Sequence, residues 1–262
     1  MFQKTLAAVI SCGLMAFGCA VQPADGTHTE DNDEIISNLI TAGFPADDIQ
    51  IYDGIVYVGN DAAVTLEASR EMLEGLAGED VYKQYRTTNL VSSSIDTICV
   101  NGSAFSGTLS SALDMAIDNY NGLNLTFSMV RTSSRNAPGC DATITAKIAS
   151  GAGGSAGFPK GGNPYGTINI GSGTTAYGVD TTEHVITHEL GHCVGLRHSD
   201  YFDRSISCGT GGNEGSAGVG AIHISGTPTG ATVGGSIMNS CFRANENGEF
   251  TSSDRTALQT LY

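Results

Sequence analysis

His188-Glu189-Leu190-Gly191-His192-Cys193-Val194-Gly195-Leu196-Arg197-His198 sets three imidazoles and one carboxylate at spacings that a single metal ion can use. If the segment from Val185 to Cys193 is helical, His188 and His192 stand four residues apart on one face and both reach the same ion. Glu189 then lies beside the metal, not on it, where its carboxylate can take a proton from a bound water. Gly195 can adopt the left-handed backbone that ends a helix, and the turn there swings His198 back as third ligand. Three protein ligands leave one position open, the pattern of a catalytic rather than a structural zinc site. Two histidines at helical spacing are a weak signal alone; Gly195 and His198 in register make it restrictive. Cys193 points about 100° around the helix from His192 and reads as core or disulfide. His184, four before His188, reads as a helix-face residue, because the extended motif already supplies three ligands.

The eleven residues from His188 to His198 resemble the HExxHxxGxxH consensus of the metzincin zinc metallopeptidases, and Ser236-Ile237-Met238-Asn239-Ser240 looks like their Met-turn. Within that clan the chain is similar to the bacterial HEIGH metallopeptidases, judged from His188 to His192, from His223 to Gly230 and from Met238 to Phe242. The resemblance spans about residues 88 to 262. It implies an α+β, metzincin-like zincin: a twisted mixed sheet, an active-site helix and a C-terminal subdomain in which Met238 forms a floor beneath the histidines. It also implies that Thr167-Ile168-Asn169-Ile170 is the edge strand lining the cleft, able to align an extended peptide by backbone hydrogen bonds. Phe250 to Tyr262 resembles the closing helix, with Ser252 or Ser253 as N-cap. Ser240 stands where many members carry a tyrosine, so no phenol can assist from that position. Ser199 and Asp200 follow the third histidine; Asp200 is a candidate to orient that region by hydrogen bonding.

The chain has 262 residues and no Trp, and its 35 glycines imply a loop-rich catalytic part. From Ala24 to Tyr85, 14 acidic residues face only Arg70 and Lys83, so the formal charge of −15 resides mainly in the first third. Such a surface repels phosphates, and nucleic acid is not an expected partner. Thr5 to Gly18 is an apolar run behind Lys4, too short to span a bilayer comfortably, and reads as an export signal over residues 1–19. Ala16-Phe17-Gly18-Cys19 resembles a lipobox with Phe17 a poor fit, so a lipid anchor at Cys19 and ordinary cleavage nearby both stay open. In an exported chain the remaining Cys99, Cys140, Cys193, Cys208 and Cys241 are an odd number. Cys208 with Cys241 is the preferred bridge, worth ~3 to 4 kcal/mol by chain entropy. Cys99 is either a buried thiol or the partner of Cys140.

Residues 20–33 read as a flexible acidic tether, followed by a helix from Glu34 to Ala42, a hairpin over Ile49 to Val58 turning at Asp53-Gly54, and a helix from Thr65 to Leu76. This small α+β unit, residues 20–87 with its tether, is read as a pro-segment that covers the site until cleavage near Arg86. It has no cysteine from Ala24 to Tyr85, so an aspartate, Asp53 or Asp61, is the candidate to occupy the open metal position. Strands at Thr97–Val100, Leu125–Arg131 and Ala142–Ala149 and a helix at Gly107–Asn119 follow, then the catalytic helix opening near Thr181 or Thr182. His223 is given an ordinary polar role in a variable loop. The expected activity is that of a secreted or cell-surface bacterial zinc endopeptidase, monomeric, with polypeptide substrates and one catalytic zinc; calcium stays open, with no motif indicating it. A zinc-stabilised binding or adhesion module without turnover is the alternative.

Overall fold

In a computed structural model of the chain, residues 27–59, 61–74, 84–214, 221–228 and 230–262 are described. The export signal and Cys19 lie outside them. The first third forms helix α1 (Thr27–Thr41), strands β1 (Ile49–Tyr52), β2 (Ile55–Val58) and β3 (Ala62–Val64), and helix α2 (Leu66–Glu74). Then follow β4 (Tyr85–Arg86), β5 (Thr97–Asn101), α3 (Gly107–Asn121), β6 (Ser128–Thr132), β7 (Ala142–Ala149), β8 (Gly154–Gly157) and β9 (Thr167–Gly171). The last part holds α4 (Val179–Cys193), β10 (Leu196–Arg197), α5 (Ser205–Cys208), β11 (Ile222–His223) and α6 (Ser252–Leu261). The architecture is α+β.

Strands β6, β5, β7 and β9 are mutually parallel, and β8 closes on β9 antiparallel. Ile98, Val100, Met129, Ile144, Ile168 and Ile170 bury one face of this sheet, each at every second position of its strand as the pleat requires. Over that face, α3 lays Leu109, Ala112, Leu113, Ala116, Ile117 and Tyr120 at helical spacing and packs against α4. Disulfides join Cys99 to Cys140 and Cys208 to Cys241, leaving Cys193 as a buried thiol.

Three expectations are corrected. Thr167–Ile170 is not an edge: β9 lies between β8 and β7, and β8 is the strand toward the cleft. Nor is β8 free, because β3 pairs with it in parallel, Ala62 opposite Ala156 and Ala63 opposite Gly157, so one eight-stranded sheet runs from β1 to β6. Residues 27–33, read as tether, belong to α1, whose apolar stripe occupies only its second half; Ile35 and Leu39 anchor it in the core around Phe44, Val56, Val58 and Phe158. The N-cap of α6 is Thr251, because the side chains of Thr251 and Asp254 bond reciprocally in a capping box that Ser252 and Ser253 could not form.

Tyr85 and Arg86 form the middle strand of a second, three-stranded sheet with β10 and β11. Gln84 just before them is buried, and its amide donates to Ser236 Oγ and Asp254 Oδ1, both at 2.8 Å. Residues 84–86 are thus built into the part of the molecule that carries the histidines.

Candidate metal centre

Helix α4 starts after Gly178, at φ 94°, rather than at a threonine cap, and Thr182 Oγ1 instead donates to the Gly178 carbonyl. Two glycines fit the motif to its surroundings. At Gly191 a Cβ would stand 2.6 Å from Met238 Sδ, so the missing side chain lets the fully buried methionine pack under the helix. Gly195 has φ 101°, and a Cβ there would press on Leu90, Asn89 and Thr87 within 3.2 Å. That left-handed residue turns the chain into β10 and returns His198 to the other two rings.

His188 Nε2 lies 3.0 Å from His192 Nε2 and 3.2 Å from His198 Nε2. Asp61, immediately before β3, completes the group: its Oδ2 is 3.0 Å from His198 Nε2 and 3.6 Å from His188 Nε2. Its Oδ1 is 3.8 Å from His192 Nε2. The outer nitrogens decide what this cluster wants. His188 Nδ1 meets the Ile237 carbonyl at 2.8 Å, His192 Nδ1 the Leu196 carbonyl at 2.8 Å, and His198 Nδ1 the Glu214 carboxylate at 2.5 Å. Each of these partners can only accept, so each Nδ1 carries a proton and, in a neutral ring, each Nε2 offers its lone pair inward. Three Nε2 atoms and a carboxylate then converge on one point, an arrangement that a cation satisfies in place of a proton shared between His198 and Asp61. A tetrahedral zinc with bonds of ~2.0–2.1 Å sets its ligand atoms ~3.3 Å apart, close to the spacing here. The residues fit zinc.

Glu189 is 2% exposed, and its Oε2 is buried without a hydrogen-bond partner. Its other oxygen presses on β8, where a Cβ on Gly154 would come within 2.6 Å. Burial first, then the charge of Asp61, hold its pKa well above the ordinary carboxylate range. Glu189, His188, Asp61, Gly154, His184 and Phe242 are among the residues lining a cavity of about 160 Å³.

Of the other candidates, Asp200 is fully buried and ties the loop after His198 to the Met238 turn. Its Oδ1 accepts from Ser240 N and Oγ, its Oδ2 from Ser207 N and Oγ. The acid that grips a histidine is Glu214, which sequence reasoning missed. It is buried, takes His198 Nδ1 and Arg197 Nη2, and has Gly59 packed so closely that a Cβ there would lie 2.9 Å from its carboxyl carbon. Its signal was faint: Glu214 is the only Asp, Glu, Lys or Arg between Arg204 and Arg243. Asp53 sits at the exposed hairpin turn, away from the cluster that holds Asp61. His184 is outside the four-residue cluster, and His223 lies in β11 with its ring near Thr227 Oγ1.

The dual-action HEIGH metallopeptidase family model matches residues 56–262, a stretch that takes in Asp61 as well as the three histidines. The chain belongs to this family. It is a zinc metallopeptidase. Among solved structures it is similar to myroilysin, with 12% identity over 68% of this chain and 98% of that one and a TM-score of 0.41. It is also similar to high choriolytic enzyme 1, a hatching-enzyme zinc protease from Oryzias latipes, with 17% identity over 67% of this chain and 93% of that one and a TM-score of 0.40. Neither likeness bears on the activity. No curated protein matches the chain in sequence.

This HEIGH metallopeptidase carries a second buried acid on the same helix. Glu183 is 2% exposed, faces Gly248 and accepts from Asn119 Nδ2 at 2.7 Å. Burial pushes its pKa up to about 7, with the charges of Glu249 and Asp180 adding to the shift. The folded state therefore keeps a proton that the unfolded chain has already released, so stability falls as pH rises from about 4.5 to about 7 and the penalty is complete above that. Glu183→Gln should be more stable than wild type by about 1–2 kcal/mol at pH 8.5, after allowance for solvent screening, and not at pH 4.5. Denaturant midpoints at the two pH values check this; equal differences at both would contradict it.

Proposed function

We propose that this chain is an exported zinc endopeptidase made in a latent form, with His188, His192 and His198 as metal ligands and Glu189 as general base. The convergence of three Nε2 atoms beside the unpartnered Glu189 Oε2 carries the reading. Zinc, when bound, acidifies water and polarises the scissile carbonyl. Glu189 takes the proton from the attacking water and returns it to the leaving amine. Met238 packs beneath the ligands through Gly191 and holds the helix against the turn. In the latent chain Asp61 occupies the position that water needs, and β3 occupies the backbone of β8 that an extended substrate would use. Removing the first third would free both together.

Because Gln84 to Arg86 are embedded in the histidine-bearing part, the pro-segment ends ahead of Gln84 rather than beyond Arg86. Export is supported by two disulfides, and no helix among the described residues is long and apolar enough to cross a membrane. Casein digestion by the processed protein should be abolished by a chelator and restored by zinc. A protein that binds zinc yet leaves casein and denatured polypeptides intact would defeat the endopeptidase reading.

A further inference from the structure

His184 is 3% exposed and lies one helical turn before His188. Its Nδ1 is 3.2 Å from the Asn247 carbonyl, which can only accept, so the proton sits on Nδ1 and the lone pair on Nε2. That Nε2 is buried and has no partner. Burial first, then neighbouring His188, lower its pKa to about 4, which keeps the ring neutral at ordinary pH. The ring lines the same 160 Å³ cavity as Glu189 and His188, with Val185 and Phe242 as apolar walls. The metal cluster does not use it. A buried acceptor without a donor, on a residue that lines a cavity shared with Glu189 and His188, is a feature of recognition more than of folding.

We propose that His184 is a specificity-determining residue whose Nε2 accepts a hydrogen bond from a substrate side chain beside the scissile bond, so that the cavity takes uncharged donors such as Thr, Ser, Asn or Gln in preference to aliphatic residues of equal size. This rests on the peptidase reading. The volume accommodates one medium side chain, and the apolar walls hold its stem. A carboxylate would turn lone pairs toward a lone pair, with Glu189 close by, and is excluded. Sites built to bond a substrate hydroxyl or amide discriminate strongly against the analogue that lacks it, because the protein group is then left unpaired.

Two peptide pairs that are nearly isosteric test this: Thr against Val and Asn against Leu, placed at the residue flanking the bond that the processed protein cuts, on whichever side mass spectrometry of a peptide library shows selection. Wild type should favour Thr and Asn by at least ten-fold in kcat/KM. His184→Leu should erase or invert both ratios, and His184→Gln, which keeps an acceptor oxygen, should restore part of them. Calorimetric binding of the same peptides to Glu189→Gln protein should rank them in the same order. A wild type that prefers Val and Leu, or ratios that His184→Leu leaves intact, would overturn the assignment while leaving the peptidase reading standing. Failure to cut any peptide would remove both. Should His184→Leu not fold, the wild-type ratios and the Gln variant decide.

Discussion

Glu189→Gln is expected to keep its fold and its zinc and to lose turnover by ~10³-fold, within the range that a positioned general acid–base group contributes. The amide matches the carboxyl in size, so the close approach to Gly154 is kept. What disappears is the carboxylate placed beside the ligands without a partner of its own, the group that can accept a proton from bound water and later give it back. Its Oε2 has no competing hydrogen bond, and burial has already raised its basicity. Metal analysis of the purified variant alongside peptide hydrolysis separates loss of chemistry from loss of the ion. A zinc-loaded variant at wild-type rate would remove Glu189 from the reaction and favour another base.

Replacing Asp61 should act in the opposite direction. In Asp61→Ala the uncut chain should hydrolyse a fluorogenic peptide at least ten-fold faster than uncut wild type, because the carboxylate no longer competes with water for the position beside His198. The gain should fall short of the processed enzyme, since β3 still pairs with Ala156 and Gly157 along β8. Rates must be taken while gels show the chain intact, so that premature cutting is not mistaken for relief of latency. An intact variant no faster than intact wild type would discard Asp61 as the blocking group.

The histidine cluster was legible because its geometry is almost wholly local: four residues of helix, one left-handed glycine and three more residues bring the rings together. The Cys208–Cys241 bridge was legible because the two cysteines flank one Gly-rich loop, whereas Met238 was singled out by family resemblance alone. What escaped was non-local or chemically quiet. Gly154-Ser155-Ala156-Gly157 has none of the β-branched or aromatic residues that mark a strand, so β9 was given an edge although β8, itself paired with β3, lies beside it. The pairing of β3 with β8 joins residues more than ninety positions apart in register, and no spacing announces it. Asp61 and Asp53 were indistinguishable in sequence, and only the sheet brings one of them to the rings. Glu214 sits in a Gly-rich loop without periodicity, and its partner His198 is read from the other side of the motif.

Phe158 bears on how the proposed activation would proceed. It belongs to the histidine-bearing part, where its ring edges His192 at 5.5 Å, yet it completes the core formed by Ile35, Leu39, Phe44, Val56 and Val58. The two portions are therefore held by shared hydrophobic contact and a continuous hydrogen-bonded sheet as well as by the peptide connection between Glu74 and Gln84. On the proposal that the first third is an inhibitory segment, severing that connection at one point would leave it seated, as a tightly held non-covalent complex. Onset of activity would then follow digestion of the dislodged fragment, not the first nick.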